Sequence, residues 1–356
     1  VNPGLVEDAA GESRIVEYLR SRLESTGFDV SVVPAAGADD RPSLVAVPAG
    51  AGTGPTVVLN GHVDTVGVAG MPDAFRPRID DGRLYARGAA DMKGGIAGLV
   101  VAAERLVASG APVRPVLALV ADEEDASMGS EAVIAALASL GVAPDVCLIA
   151  EPTDLALSRS LRGFGVAHVR FTGRASHSSQ AHLGVNAVMH MGRLLHAVDV
   201  RAPSLRERGG DLMVTVARGG SSPFVVPDAA ECFVELRTSP DGAGASVVEE
   251  VVALLEEEWQ ASVALVAARD GWRLDAVGPA ADLAARLGAA LGTGATFDAP
   301  YWMEAPLWQQ ACPTLICGPS GGGLHAVDEW VDLAQVDAFA AALVATLEEW
   351  GGVTPV

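Results

Sequence analysis

Along the first 160 positions the apolar residues alternate between a helical and an extended rhythm. Ile15, Tyr18, Leu19 and Leu23 recur at helical spacing and predict a helix over residues 14–26, closed by Gly27. Residues 30–33 and 43–47 read as outer strands. The short, largely apolar runs 56–60, 113–121 and 145–150 predict central strands covered on both faces. Between them, helices are expected over 94–109 and 129–140, stopped by Gly110 and Gly141. The pattern is that of an α/β sheet lying between helices.

From about Arg162 the rhythm changes. Residues 165–173 read as a strand, 184–198 as a helix, and 211–217 and 231–238 as strands. A helix over 245–260 and a strand over 262–268 follow. This β-α-β-β-α-β order is a ferredoxin-like α+β module, complete in itself. After Gly278-Pro279 the α/β pattern resumes, with a helix over 280–291, a strand over 313–317 and a closing helix over 333–350. The expected organisation is therefore one domain of residues 1–162 and 279–356, interrupted by an inserted domain of residues 163–278. No internal repeat interrupts the series.

A length of 356 residues, half of them apolar, is enough for two such cores. No stretch reaches the roughly 18 uncharged apolar residues of a membrane span; the nearest, residues 96–107, is broken by Glu104 and Arg105. A formal charge of −21 argues against nucleic acid or an anionic membrane as partner. Cys147, Cys232, Cys312 and Cys317 are scattered with no CxxC pair, which points to reduced thiols in a cytoplasmic protein. The opening Val1-Asn2-Pro3-Gly4 lacks the basic and apolar regions of a signal peptide.

Five acids and histidines fall at strand ends or at a helix head: His62, Asp91, Glu124, Glu151 and His325. Ligands in an open α/β sheet collect at the carboxyl ends of strands. Two nitrogen donors and three carboxylates gathered there suit a pair of divalent cations, whereas a single zinc needs fewer groups. Asp64, two residues beyond His62 in extended chain, faces the same side and can fix the imidazole tautomer. Each motif also has a plain structural reading. His62 and Asp64 can be a surface pair, Asp91 can cap a helix, and Asp122 and Asp125 can lie in a solvated loop. Together they favour metal chemistry: Asp91 bridging two ions roughly 3.5 Å apart, His62 and Glu151 completing one site, Glu124 and His325 the other. Glu123, beside a ligand yet left over, is the natural general base.

The segments GHVDTV, ARGAADMKGG, ADEEDASMGS, IAEPTDL and LHAVDEWV, taken in order, resemble the dinuclear zinc deacylase and peptidase family. That family includes acetylornithine deacetylase, succinyl-diaminopimelate desuccinylase, aminoacylase and carboxypeptidase G. The resemblance implies a zinc-peptidase-like catalytic domain with a mixed sheet, and an inserted lid that also forms a homodimer. It implies the same ligand set, two zinc ions (cobalt being the alternative), Glu123 as acid/base and Asp64 orienting His62. In FTGRASHSSQAHLGVNA it implies that His177 stabilises the oxyanion and that Asn186 contacts substrate. Arg237, in VELRTSPDG, is implied to hold a substrate carboxylate; a surface ion pair is the alternative. Phe224 departs from the pattern, which commonly has Asn there. Asp298 and Glu304 are the acids available for a basic substrate side chain. The glycine-rich loop 318–323 either contacts a carboxylate through its amides or is a flexible turn. The implied activity is hydrolytic removal of an acyl group from an N-acyl amino acid by metal-activated water. A carboxypeptidase or dipeptidase activity is the alternative within the family, and a non-catalytic metal-binding protein the alternative outside it.

Overall fold

A computed structural model describes residues 1–50, 54–68 and 70–352. The chain divides into two compact units. One comprises Val1–Arg159, Leu274–Phe297 and Met303–Val356; the other comprises Ser160–Arg273 and Asp298–Trp302.

The first unit is built on a six-stranded mixed sheet. Its order is Phe28–Ala35, Ala38–Pro48, Arg114–Val120, Thr56–His62, Val146–Ile149 and Thr314–Ile316. The first two strands pair antiparallel, Ala38–Pro48 pairs antiparallel with Arg114–Val120, and the remaining pairings are parallel. Every residue of Thr56–His62 and Val146–Ile149 is buried, as expected for strands covered on both faces. Leu59, Leu99, Leu117, Leu148, Phe339 and Leu343 belong to one continuous core. Helix Gly94–Ser109 sits close against the sheet because its first two residues are glycines. A Cβ on Gly95 would lie 2.1 Å from the Ala150 carbonyl oxygen. The turn that carries Asp91 is thereby held at the carboxyl ends of the central strands.

A second, four-stranded antiparallel sheet of this unit runs Gly321–Gly322, Trp330–Asp332, Arg83–Tyr85 and Arg78–Asp80. It takes up the glycine-rich loop, which is no flexible turn. A Cβ on Gly321 would meet the Trp330 carbonyl oxygen at 1.8 Å, and one on Gly318 the Ala150 oxygen at 2.5 Å. Glycine is required here for close backbone approach.

The same region contains a buried ion pair, Arg87 Nη1 to Glu329 Oε2 at 2.6 Å. The Glu329 carboxylate also accepts from the backbone N–H groups of Gly88, Ala90 and Asp91 at 3.0, 3.0 and 3.1 Å. Arg87 donates further to the carbonyl oxygens of Gly67 and Ala326. Segments some 240 positions apart are thus tied by charge-assisted bonds in a dry interior.

The inserted unit contains a four-stranded antiparallel sheet in the order Asp211–Gly219, Ala229–Arg237, Phe164–Thr172, Ala261–Arg269. With helix Ala187–Arg206 after the first strand, this is the ferredoxin-like arrangement. Burial alternates strictly along Gly165–Phe171, where Ala167, Val169 and Phe171 enter this unit's core. The expected helix over 245–260 is broken. Only Val247–Val252 is α-helical, and Glu257–Trp259 forms a separate 3₁₀ turn. Glu256, Glu257 and Glu258 would have placed three negative charges at the negative end of the helix dipole. Four valines in six residues add no compensating helix preference. Trp259 instead turns inward and is buried.

Removing the Glu329 carboxylate leaves the Arg87 guanidinium buried without its partner. Glu329→Ala is expected to cost about 3–5 kcal/mol, read as a lowered urea midpoint followed by tryptophan fluorescence. An unchanged midpoint would show that the pair contributes nothing to the fold.

Candidate metal centre

His62 is the last residue of the buried strand Thr56–His62, and its side chain is fully enclosed. Its Nε2 lies 2.9 Å from Asp91 Oδ1, and its Nδ1 faces Asp64 Oδ1 at 3.4 Å, beyond a well-formed hydrogen bond. Asp91 does not cap the following helix. It lies in the turn Ala89–Lys93 with non-helical φ −114° and ψ 96°, and both of its oxygens point to imidazoles. Oδ2 meets His325 Nε2 at 3.2 Å. His325, in left-handed backbone at φ 61°, also lies 3.3 Å from Glu124 Oε2. Asp91 therefore stands between the two histidines.

Two sets of donor atoms lie within 4.8 Å of one another, His62 with Asp91 and Glu124, and His62 with Glu123 and Glu151. Glu151 directly follows the buried run that ends at Ala150 and is itself buried. Residues 123 and 124 follow the Arg114–Val120 strand through Asp122, which takes left-handed φ 69°. Asp122 is not in a solvated loop. It is fully buried, 2.8 Å from Arg41 Nη2, and Arg41 is held in turn by Glu12 at 2.8 Å.

The electrostatics follow from burying so many acids together. Burial drives the Glu123 carboxyl well above the usual range, reinforced by Glu151. Glu151 is pushed up to about 8, first by burial and then by Asp91 and its acidic neighbours. Asp91 goes the other way: burial opposes it, but hydrogen bonds from His325 and His62 hold it ionised. His325 rises to about 10 through its bonds to Asp91 and Glu124. Asp64 falls to about 2 despite burial, through His62 and Asn2. The acids outnumber the nearby positive charges, so the cluster calls for cations.

A pair of divalent ions fits these donors. Glu124 Oε1 is buried without a hydrogen-bond partner, an arrangement that is costly unless something meets it. Imidazole and carboxylate together suit zinc, and suit cobalt or manganese as well.

Glu304 deepens the acidity. It is buried, accepts from Ser130 Oγ at 2.7 Å through Oε2, and its Oε1 has no partner. Burial pushes its pKa up to about 7. The four remaining expected residues belong to the inserted unit. His177 is exposed, and its Nδ1 accepts from the Ser179 amide at 3.2 Å. Asn186 caps helix Ala187–Arg206, accepting from Met189 N at 3.1 Å. Arg237 pairs with Glu235 at 2.6 Å and lies over the Phe164 ring. Asp298 accepts from Ser160 Oγ at 2.7 Å. Phe224 is 69% exposed.

Asn2, Arg41 and Glu329 had no assigned part in the sequence pattern. Glu329 lies inside the LHAVDEWV segment, four residues after His325, which was the one available signal. Asn2 and Arg41 are single polar residues in unremarkable surroundings and carried none.

The family model for peptidase family M20/M25/M40 matches residues 58–349. The chain is 30% identical to a succinyl-diaminopimelate desuccinylase of Cereibacter sphaeroides over 375 residues, covering 98% of this chain and 96% of that one. It is 28% identical to the acetylornithine deacetylase of Proteus mirabilis over 352 residues, 91% and 86% of the two chains. Among solved structures, a tripeptidase from Staphylococcus aureus superposes with TM-score 0.81 at 17% identity, over 98% of this chain and 95% of that one. A dinuclear metal binding peptidase of family M20 from Bacillus subtilis gives TM-score 0.70 at 16% identity, over 94% and 92%. Family M20 enzymes depend on two metal ions, and acids and imidazoles of that kind gather here around Asp91. On these grounds the chain belongs to peptidase family M20/M25/M40 and is a hydrolytic enzyme.

Proposed function

We propose that this chain removes the acyl group from an N-acyl amino acid, with acetylornithine and related acyl amino acids as the leading substrates. The observation that carries the reading is Asp91, whose two oxygens face His62 and His325 at 2.9 and 3.2 Å. In that reading two divalent ions, zinc in the native enzyme, would be held by these side chains: His62 and Glu151 would serve one, Glu124 and His325 the other, and Asp91 would be shared by both. Such a pair supplies a polarised carbonyl and water that ionises near neutrality.

The remaining work falls to the chain's own groups. Glu123 takes the proton of the attacking water and returns it to the leaving nitrogen. A carboxyl that burial raises well above its ordinary range can do both. Asp64 holds the His62 ring from the far side, so that Nε2 faces the centre. With its Nδ1 accepting from Ser179, His177 carries its proton on Nε2 and can donate to the developing oxyanion. Arg237 grips the substrate carboxylate, and Asn186 and Asp298 contact the rest of the substrate. The inserted unit serves as lid and as homodimer contact, with His177 reaching the site of the partner subunit. Four buried free cysteines agree with a reducing cytoplasm.

The sequence relatives at 28–30% identity named above are deacylases by name, whereas the likeness to the tripeptidase, at 17%, bears on fold alone. A peptidase activity is the second reading. A panel of N-acetyl and N-succinyl amino acids, dipeptides and tripeptides, with free amine measured, separates the two. Faster turnover of the acyl amino acids is expected; preferential cleavage of peptides would overturn the assignment.

Two further outcomes follow from the site. Glu123→Gln should retain two metal ions per chain by elemental analysis while kcat falls by about 10²–10⁴. Full turnover in that variant would remove Glu123 from the mechanism. Stripping the metal with a chelator should abolish hydrolysis and lower the melting temperature. Adding zinc back at about 100 times its Kd should restore roughly 2.7 kcal/mol of stability, seen as a rise in that temperature.

A further inference from the structure

Asn2 is fully buried in the first unit, and every polar atom of its side chain is engaged. Its Oδ1 accepts from the Gly4 amide at 2.7 Å. Its Nδ2 donates to Asp64 Oδ2 at 2.8 Å and to Asp122 Oδ1 at 3.1 Å. The orientation of the amide is unambiguous, because only an NH₂ group can face two carboxylates. The backbone fixes the residue as well, through Asn2 N–H to Thr65 O at 2.9 Å.

The two acids it joins sit on either side of the centre's support. Asp64 faces His62 Nδ1 and accepts from the backbone N–H groups of both Glu123 and Glu124 at 3.2 Å. Asp122 leads into that same pair of glutamates and accepts from Met128 N–H. One small amide thus holds together two carboxylates that would repel each other at short range in a low-dielectric interior. Through Asp64 it bears on one imidazole and on the backbone of both glutamates.

We propose that Asn2 is a positioning residue of the dinuclear centre: its NH₂ group clamps Asp64 to Asp122 and so sets His62, Glu123 and Glu124 for metal binding. The inference rests on the metal-centre reading above. Among the described residues no other side chain donates to both acids. Arg41 reaches Asp122 at 2.8 Å, but no bond joins it to Asp64. An uncharged residue without donors leaves Asp64 one bond short, and an aspartate adds a third carboxylate to the pair.

The test is a titration of the metal-free full chain with cobalt(II), followed by calorimetry and by the visible d–d absorption of the bound ion. Wild type, Asn2→Ala and Asn2→Asp are compared, with the thermal midpoint of each metal-free protein recorded alongside. Wild type should bind two ions; if it binds none, the metal-centre reading fails before the Asn2 question arises. With two ions bound by wild type, Asn2→Ala should weaken at least one of them by about tenfold, at the lower end of the effect of outer partners. Its d–d bands should shift because the His62 environment changes. Asn2→Asp should be weaker still, and where it does not fold, Asn2→Ala carries the test. Cobalt affinities within twofold of wild type and an unshifted spectrum, even with a lowered thermal midpoint, would make Asn2 a purely structural residue and overturn the proposal.

Discussion

The carboxylate of Glu329 ties the turn that carries Asp91 to the segment that carries His325, beside the strand pairing of Trp330–Asp332 with Arg83–Tyr85. It takes the Arg87 guanidinium and three consecutive-region amides, the last of them from Asp91 itself. Because Glu329 follows His325 by four residues, one set of bonds fixes both partners of the Asp91–His325 contact. A buried carboxylate with four donors is fully satisfied, and such a bond set tolerates little displacement. The glycine packing at Gly95 and Gly321 completes the restraint, since at both places the backbone approaches closer than any side chain allows.

Around that frame the centre concentrates acidity. Asp64, Asp91, Glu123, Glu124, Glu151 and Glu304 lie at or beside it, with two imidazoles and Lys93 as the nearest basic groups. The response is uneven and instructive. Asp64 and Asp91, paired with imidazoles, keep their charge, while Glu123, Glu151 and Glu304 resist ionisation, first through burial and then through like charge, which in Glu304 outweigh the bond from Ser130. An arrangement of that kind suits cations, which would offset the buried negative charge.

Support for the centre comes in layers. His62 is backed by Asp64, Asp64 by Asn2 and by the amides of residues 123 and 124, and Asp122 by Arg41 and Glu12. Each layer removes freedom from the one inside it. Metal ligands gain affinity when their geometry exists before the ion arrives.

Most of the secondary structure was legible because burial imposes periods on the sequence. Helix 94–109 and the fully buried strand beginning at Thr56 are direct readings of apolar spacing. The convergence of the five acids and histidines was legible too, since ligands in an α/β sheet gather at the carboxyl ends of strands. What failed was local: the helix expected over 245–260 has the right apolar spacing, yet its cluster of glutamates and its valines break it. The two-residue strand Gly321–Gly322 had no apolar pattern to reveal it and exists only because Trp330 is brought alongside. The same holds for Asn2, Arg41 and Glu329, polar residues whose meaning depends on partners dozens to hundreds of positions away. Sequence determined which residues are available and on which elements they lie, because helices and strands are set by short-range periodicity. Tertiary structure alone decided which charges meet, because Coulomb and hydrogen-bond energies depend on distances that the order of residues does not contain.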